Sequence, residues 1–561
     1  MKPFRARFAA ESRRRFTTPL EQVTGVNWPA LIDLTAGRLT LAWLPNPGAS
    51  PKVLTPDSAL LLVLDLEANT NAFDRLVASL ATPDSGPLAA DSVATSVVRG
   101  VTFLSRRLHG PSWNAVFDKA FPWPPDATPT TNAPDAAPKF LHLGRVGSWG
   151  VATTWQSDLG PIIDRLRQVP PAATAVGDIL WEATVERAGL ERLMHLPTPA
   201  AAADLASLPA LNRLKVALGL AGIQRARFSA ETLTNGWALN LAFDIPKTQR
   251  RGLFALLHPL PMDAAPPAFI PSNTLRFARL RLSGTNAWDH LERMLGDIDP
   301  AVLGVFQLFT GYAGRTEDAD FDFQARVVNL LGDDWMVASG GVLASGAAPS
   351  NLPPGILLLG SPRASELAAG LRTVASPSFL ATFFPPDTPE PSRANLEVQG
   401  QTVTTVTLPP IPWLDGRTGV LSIASSKGYC GVATDAAWTE AFLAPQGKSA
   451  SLNDREDFRR AFISAGGPAT GLTLYHDEQA AAREFFGAAR RSPALLDDLL
   501  RWVAFSDTAT RLVSGIGAWF DVAALPSFES VAHHFGPCVQ CGRVDETGFV
   551  LRAVRMETTK P

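Results

Sequence analysis

Short apolar runs, each followed by a segment of helical periodicity, recur along this chain. ALLLVLDL (59–66) precedes TNAFDRL (70–76), and NTLRFARLRLSG (273–284) precedes the related TNAWDHL (285–291). A weaker third version is GILLLGSPRASELAAGL (355–371). Short apolar runs bounded by turn residues are typical of buried strands, and the segment behind each run predicts an amphipathic helix.

Paired short strands with tight turns form a second recurring pattern. GSWGVATTWQSDLGPIIDRL (147–166) parallels KGYCGVATDAAWTEAFL (427–443), and both predict a hairpin followed by a helix. The middle version, VVNLLGDDWMVASGG (327–341), predicts a strand, a turn and a second strand. For the first repeated helix we predict Asn71 as the N-cap, because its side chain can accept a backbone N–H.

These units predict an α+β fold: repeated modules of mostly antiparallel sheet, with helices covering one face, joined by Pro-rich loops. The Pro-rich loops are predicted at 122–138 and 384–393. The repeats divide the chain into a first module, a second module, a third module, and a helical tail ending in a β-hairpin. Their predicted ranges are 1–203, 204–350, 351–480 and 481–561.

Composition narrows the class of protein. Of the 561 residues, 46% are apolar and 18% are charged, which is typical of a chain that buries a core. The net charge of −3 provides no general positive field, so no nucleic-acid partner is predicted. The apolar runs are shorter than the roughly 18 residues of a membrane span, so no transmembrane segment is predicted. Three cysteines are too few for a disulfide framework.

Cys538 and Cys541, in FGPCVQCGRVDETGFVLRAV (535–554), are the first candidates for chemistry. A redox CxxC normally precedes a helix, whose N-terminus lowers the pKa of the thiol. Here the downstream residues predict a strand, a DETG turn and a second strand. Extended residues three positions apart have Cα atoms about 10 Å apart, beyond the roughly 7 Å that a disulfide allows. Structural thiols are favoured; a labile disulfide and a metal site stay open.

A metal site here would combine His533 or His534 with the two cysteines. Zinc accepts these ligands, but structural zinc sites usually have four of them, often in two spaced pairs. The remaining cysteine, Cys430, lies in a separate hairpin. Because the histidines are adjacent, we predict that they point in different directions, one on a helix surface and one in the partial core. We predict no metal, cofactor or catalytic residue, and keep Cys538, Cys541, His533 and His534 only as weak thiol or metal candidates.

An acidic cluster is a weaker candidate. Asp318, Asp320 and Asp322 have the spacing of the first ligands of a calcium loop. Phe323 and Asn329 stand where that loop needs glycine and glutamate. The alternation of aspartate with phenylalanine instead predicts a strand whose phenylalanines face inward.

The segment YHDEQ (475–479) brings His476, Asp477 and Glu478 together between a predicted strand and a predicted helix. Acidic residues are ordinary in the first turn of a helix, so an acid/base site is disfavoured. Nucleophile-elbow, Walker and HExxH motifs are missing from the sequence.

Four segments carry a resemblance to a known family. They are PSNTLRFARLRLSGTNAWDHL, DFDFQARVVNLLGDDWMVASG, SSKGYCGVATDAAWTEAFL and FESVAHHFGPCVQCGRVDETGFVL. The chain resembles a large family of exported bacterial proteins known only as a domain of unknown function. The resemblance covers most of the chain, and its motifs are hydrophobic patterns with turn residues. It implies an architecture and no catalytic residues, because the family has none that are agreed.

The resemblance also implies a location. Members of that family usually begin with a signal peptide and lead into a segment like MKPFRARF, at which this chain starts. We therefore expect an upstream extension with an export signal and a periplasmic or extracellular protein. The given N-terminal segment has no apolar signal region, so a cytoplasmic protein is the alternative.

Together these patterns predict a non-enzymatic, exported protein with a structural or binding role. Its expected partner is a protein or another component of the cell envelope, because stacked modules expose long surfaces. Two alternatives stay open: a hydrolase with a site assembled from distant loops, and a thiol- or metal-dependent protein that uses Cys538 and Cys541.

Overall fold

A computed structural model describes most of the chain in two compact units. The described residues are 26–35, 39–44, 59–81, 93–107, 140–153, 159–168, 179–193, 207–340, 354–411, 417–445, 450–491 and 527–557, with single residues at 18, 21, 204 and 352. Unit 1 comprises Met1–Gly177 and Phe485–Ser527, and unit 2 comprises Asp178–Glu484 and Phe528–Pro561. Both units combine antiparallel strands with helices, which confirms the α+β class. The predicted loop at 122–138 lies outside the described residues.

The described residues of unit 1 form a six-stranded antiparallel sheet. In chain order its strands are β1 Leu39–Leu44, β2 Ala59–Asp65, β3 Val93–Val98, β4 Val101–Arg107, β5 Phe140–Val146 and β6 Trp149–Thr153. Their spatial order is β1-β2-β6-β5-β4-β3. The described helices of this unit are α1 Trp28–Ile32, α2 Thr70–Leu80 and α3 Gly160–Gln168.

Helices cover both faces of the unit 1 sheet. Phe73 of α2 is buried with Leu62 and Leu64 of β2. On the opposite face, Ile163 of α3 is buried with Val63 of the same strand. Alternate residues of a strand point to opposite faces, so a strand buried on both sides reads as a continuous apolar run. The prediction that helices cover one face is therefore wrong for this unit.

In unit 2 the strands that the structure describes form a thirteen-stranded antiparallel sheet. In chain order its strands are β7 Ile179–Glu186, β8 Arg225–Leu233, β9 Gly236–Asp244, β10 Arg276–Arg281, β11 Asp334–Ser339, β12 Gly355–Gly360, β13 Ser392–Val398, β14 Gln401–Ile411, β15 Arg417–Ser426, β16 Tyr429–Ala433, β17 Leu472–Asp477, β18 Pro537–Val544 and β19 Gly548–Met556. Their spatial order is β13-β14-β15-β16-β12-β11-β10-β17-β18-β19-β9-β8-β7.

The helices of unit 2 connect these strands. Among the described residues they are α4 Arg187–Leu193, α5 Ala210–Ala217, α6 Leu253–Leu256, α7 Gly284–Ile298, α8 Pro300–Tyr312, α9 Phe323–Arg326, α10 Ala364–Val374, α11 Pro377–Ala381, α12 Ala436–Leu443 and α13 Glu456–Ala465, with α14 Glu478–Arg491 and α15 Phe528–Val531 following. The part of α14 from Phe485 onward belongs to unit 1. No described helix is both long enough and apolar enough to span a bilayer.

The unit 2 sheet also has helices on both faces. Cys430 of β16 is buried in a cluster with Leu367 of α10. The next residue, Gly431, faces the other way, where a Cβ would lie 2.8 Å from the ring of Phe442 of α12. The prediction that helices cover one face of the sheet is wrong for this unit too, because helices pack on both sides of β16.

The structure groups the chain differently from the predicted segments 1–203, 204–350, 351–480 and 481–561. One sheet contains β7 from the first segment, β8 from the second, β12 from the third and β18 from the last. The pairing of β9 with β19 joins positions 236 and 556. A local pattern carries no information about pairing between positions so far apart in the sequence.

The C-terminal hairpin is confirmed, with β18 and β19 paired antiparallel. Asp545 organises its turn, since one carboxylate oxygen accepts hydrogen bonds from the backbone of Thr547 at 2.8 Å and of Gly548 at 3.1 Å. The hairpin does not close the sheet at an edge. It lies in the interior of the sheet, between β17 and β9.

Three local predictions differ from the structure. The first repeated helix begins at Thr70, so its N-cap is Asn69, whose amide donates to the carbonyl of Leu34 instead of capping the helix. The segment 317–323 forms no strand, because Asp322 accepts the backbone N–H of Ala325 and starts α9. Residues 328–330, predicted as a strand, form a single 3₁₀ turn.

The tetrapeptide GVAT occupies different structural positions in its two copies. Its glycine is the second residue of β6 but the third residue of β16. Gly150 faces α2, where a Cβ would lie 2.9 Å from the ring of Phe73, whereas Gly431 faces α12. When the two hairpins are aligned by their strands, the two GVAT segments are therefore offset by one residue. An offset of one residue turns a side chain to the opposite face of the strand.

Candidate functional site

The two C-terminal cysteines lie on β18 and are buried. Cys541 belongs to the main apolar cluster of unit 2, beside Thr473 of β17. Three positions along a strand place two side chains on opposite faces of the sheet. Cys538 and Cys541 therefore do not converge on a common metal or on each other, and both thiols are free.

Burial controls the chemistry of all three thiols. It raises the pKa of Cys538 and of Cys541 to about 11, and that of Cys430 to about 12. A thiol with such a pKa stays protonated near neutral pH, whereas nucleophiles and metal ligands act as thiolates. The geometry supports the structural interpretation of these residues.

A thiol titration tests this interpretation. We expect almost no reaction of the native protein with dithionitrobenzoate near pH 8, because a thiol with a pKa about three units higher is less than about 1% thiolate. After unfolding in urea, all three cysteines should react. Rapid modification of one thiol in the folded protein would contradict the buried placement, and Cys538→Ser and Cys541→Ser would identify that thiol.

The histidine pair lies on a short 3₁₀ turn, Ala532–His534, just before β18. The rings of His533 and His534 are 3.9 Å apart, so the prediction that they point in different directions is wrong. His534 faces Glu557 at 3.8 Å. Among the described residues, no group of three or more His, Cys, Asp or Glu side chains is placed to hold a metal.

The acidic candidates have structural roles. Asp318 accepts the backbone N–H of Asp320, and Asp322 caps α9. At the end of β17, Asp477 accepts the backbone N–H of Ala480 at the start of α14. These are turn and capping hydrogen bonds, which explain why acidic residues occupy these positions.

A buried charge network is the first feature that sequence reasoning missed. Both carboxylate oxygens of Asp334 accept hydrogen bonds from Arg279, at 2.8 and 2.6 Å. One of these oxygens also accepts from Arg281 at 2.6 Å and from the Tyr429 hydroxyl at 2.7 Å. Gly360 stands beside Asp334, where a Cβ would lie 3.0 Å from the Asp334 Cβ. The missing side chain leaves room for Tyr429 to reach the carboxylate.

The protonation states of the residues around Asp334 fit a structural role for this network. Burial lowers the pKa of Arg279, but the hydrogen bond and charge of Asp334 outweigh it, so the pKa is raised. Burial and the hydrogen bond to Asp334 raise the pKa of Tyr429 well above its ordinary value. A carboxylate with four donors has little capacity left to act as a base. The sequence signal was Arg279 and Arg281 at i and i+2, which share one face of β10.

The second missed feature is an exposed apolar surface on α8. Its outward side chains are Val302, Val305, Leu308, Phe309 and Tyr312, here named the α8 face. Val305 is 68% exposed and Leu308 is 74% exposed. The helix sequence PAVLGVFQLFTGY contains no charged residue. An apolar run of this kind predicts a buried helix, so only the structure distinguishes it from a surface.

The third missed feature is a cavity of about 340 Å³ between α6 and the start of α7. Four basic side chains line it, together with several apolar ones. Ser283, the N-cap of α7, lines the cavity together with Asn286, Ala287 and His290 of the helix, at i, i+3, i+4 and i+7. That spacing defines one face of a helix and was visible in the sequence.

Comparisons with known proteins add no functional information. A scan against protein-family models, a search of curated proteins and a search of solved structures each found no match to this chain. The resemblance to a family of exported bacterial proteins therefore stays a prediction.

Proposed function

We propose that this is a non-enzymatic binding protein whose protein partner docks on the α8 face. The observation that carries the proposal is an uncharged helix of thirteen residues whose exposed side chains are apolar except for Gln307. Contiguous exposed apolar patches are rare on soluble proteins and mark interaction sites. A helix of thirteen residues is about 20 Å long, which suits the packing of one partner helix or groove.

The scaffold holds α8 firmly enough to present a defined surface. Asp299 caps the helix by accepting the backbone N–H of Ala301 at 2.8 Å. On the inward side, the rings of Phe306 and Trp288 have centroids 5.2 Å apart. Phe309 packs against Phe379 of α11 at 5.3 Å. A pre-formed surface loses less entropy on binding than a mobile one.

Charge around the helix indicates the chemistry of the partner. Residues 297–322 contain six carboxylates and a single arginine. Glu317 pairs with Arg393, and Asp318 is 3.6 Å from Arg326, so part of this charge is neutralised. The remaining excess is negative at both ends of α8. We therefore assign the partner as a protein segment with an apolar face edged by lysine or arginine.

Repeated modules are part of the same proposal, supported by strand order. The order β2-β6-β5-β4-β3 in unit 1 matches β12-β16-β15-β14-β13 in unit 2, and β1 and β11 lie at equivalent flanking positions. The turns agree as well, because Arg99 and Gly100 have positive φ values of 48° and 76°, and Gln399 and Gly400 have 52° and 72°. The predicted second module, 204–350, lacks this order, since β17, β18 and β19 separate β9 from β10.

Export is also proposed, on the basis of the resemblance alone. Fractionation of the native cells and peptide mapping of the native N-terminus test it, and a cytoplasmic protein that starts at Met1 would exclude it.

Docking on the α8 face is tested with a synthetic helical peptide that has leucines on one face and lysines along its edges. We expect Leu308→Ser to weaken its binding by about tenfold or more, because a buried leucine contributes about 1.5–3 kcal/mol. The matched control is Ile463→Ser on α13, a side chain of similar exposure at 69%, and should bind like the unchanged protein. Fluorescence anisotropy measures the affinity, and both variants should keep the melting temperature.

Other occupants would give different results. A peptide with glutamate in place of lysine should bind at least about tenfold more weakly, since like charges face each other; equal binding would overturn the assigned charge. If sedimentation shows a dimer that Leu308→Ser dissociates, a second copy occupies the face. If neutral phospholipid vesicles bind and the peptide does not, a membrane surface occupies it.

A further inference from the structure

One end of the cavity between α6 and α7 is polar, and hydrogen bonds hold its arginine in place. Arg250 is fixed there, because its Nε donates to the carbonyl of Ile245 at 3.1 Å and its Nη2 donates to the carbonyl of Asp545 at 2.6 Å. Backbone carbonyls position a guanidinium without cancelling its charge. A second cation, Lys247, lies at the same end and is paired with Glu546, which is not among the lining residues.

Two imidazoles complete the basic lining. His258 follows α6, and His290 lies two turns into α7. Among the described residues that line the cavity there is no Asp or Glu. Four basic groups facing one cavity without a carboxylate define a site that favours negative charge.

Ser283 and Asn286 also line the cavity, and the rest of the wall is apolar. It is made by Phe254, Leu256, Leu260 and Leu282. The volume of about 340 Å³ is within the range of small-molecule sites, which are mostly apolar with a few placed polar groups. A ligand that matches this wall has a hydrocarbon body next to its charged group.

We infer that this cavity is a binding site for a small amphipathic anion, with the anionic group at Arg250 and the two histidines and the hydrocarbon body against Phe254 and the leucines. Carboxylate, phosphate and sulfonate heads share this chemistry. The site lies on other residues than the α8 face, so the inference is independent of the proposed docking function.

Binding should depend on pH through the two histidines. Burial lowers the pKa of His258, and the charges of Arg250, His290 and Lys247 lower it further. Burial and Arg293 lower the pKa of His290, while Asp289 partly opposes them. Both rings are therefore neutral at pH 7 and gain positive charge as the pH falls. A ligand of constant charge should bind more tightly in acid.

The probe is 1-octanesulfonate, whose charge does not change with pH, titrated into the full chain by calorimetry. We expect affinity to rise at least about threefold from about pH 7.5 to about pH 5.5. Octanol, which lacks the negative charge, and inorganic sulfate, which lacks the hydrocarbon body, should each bind at least about tenfold more weakly than octanesulfonate. Equal binding of octanol would overturn the assignment of an anion site, and no binding of octanesulfonate would overturn the site itself.

The decisive variant is Ser283→Asp. Aspartate is as good an N-cap as serine, so the melting temperature of the variant should be unchanged or higher. Its carboxylate enters the cavity and should weaken octanesulfonate binding by about tenfold or more. The matched control, Arg276→Gln, changes charge by the same amount on an exposed residue outside the cavity and should bind within about twofold of the unchanged protein. Unaltered binding by folded Ser283→Asp would refute the proposed location.

Discussion

Replacing Asp334 by asparagine is expected to destabilise unit 2 by about 3–5 kcal/mol. The side chains of Asp334, Arg279 and Arg281 are only 8%, 10% and 12% exposed. Removing the negative charge leaves buried Arg279 without its counter-ion and leaves Arg281 with only the partly exposed Asp333, so the desolvation of the two guanidinium groups is no longer offset. Asparagine keeps the shape of the side chain, so the loss reports on charge and hydrogen bonding and not on a cavity.

Hydrogen exchange of peptides from β10 and β11 across a urea series measures this loss locally. Asp333→Asn is the matched control, because the Asp333 side chain is 43% exposed and pairs with Arg281 at its edge; we expect about 1 kcal/mol or less. Tyr429→Phe removes one hydrogen bond and should cost about 1–2 kcal/mol. Equal losses of stability in Asp333→Asn and Asp334→Asn would contradict a structural role for the buried Asp334 network.

The second large effect is expected in unit 1, where Phe73→Ala should cost about 3–5 kcal/mol. Phe73 is fully buried between α2 and the sheet. A Cβ at position 150 would lie only 2.9 Å from its ring, so the backbone of β6 packs directly on the phenyl group. Truncation therefore leaves a cavity bordered by backbone, which relaxes less readily than side chains.

Exchange of peptides from α2, β2 and β6 reports this change without requiring a two-state transition of the whole chain. The control on the same helix is Arg75→Ala, an exposed side chain whose removal should stay within about 0.5 kcal/mol. A loss below about 1 kcal/mol for Phe73→Ala would show that the α2 layer is not the core of unit 1.

Local pattern predicted the elements that depend on local chemistry. The hairpins around the two GVAT segments and the DETG turn were correct, because turn residues fix the geometry of short loops. The helices from Thr70 and Gly284 were correct in kind, since helical periodicity is short-range. Residues 328–330 were predicted incorrectly because a brief apolar run fits a strand and a 3₁₀ turn equally well.

Features that arise from pairing between distant strands could not be predicted. In the sequence, Arg279 and Arg281 interrupt an apolar segment and have no visible partner. Their partner Asp334 lies on β11, and Tyr429, which also binds Asp334, lies on β16. The α8 face reads in sequence as a buried helix, because exposure is a property of the folded chain. The cavity needs α6 and α7 side by side, although the face of α7 that lines it was visible beforehand.

The interior position of the C-terminal hairpin has a consequence for the order in which unit 2 folds. Because β18 and β19 lie between β17 and β9, both of those strands have an open edge until residues 537–556 have left the ribosome. The sheet of unit 2 is thus completed only once these residues are available, through contacts of long sequence separation that form slowly. During that interval the two open edges are templates for pairing with other nascent chains. A chaperone that shields exposed strands would therefore act on this protein before β18 and β19 are in place.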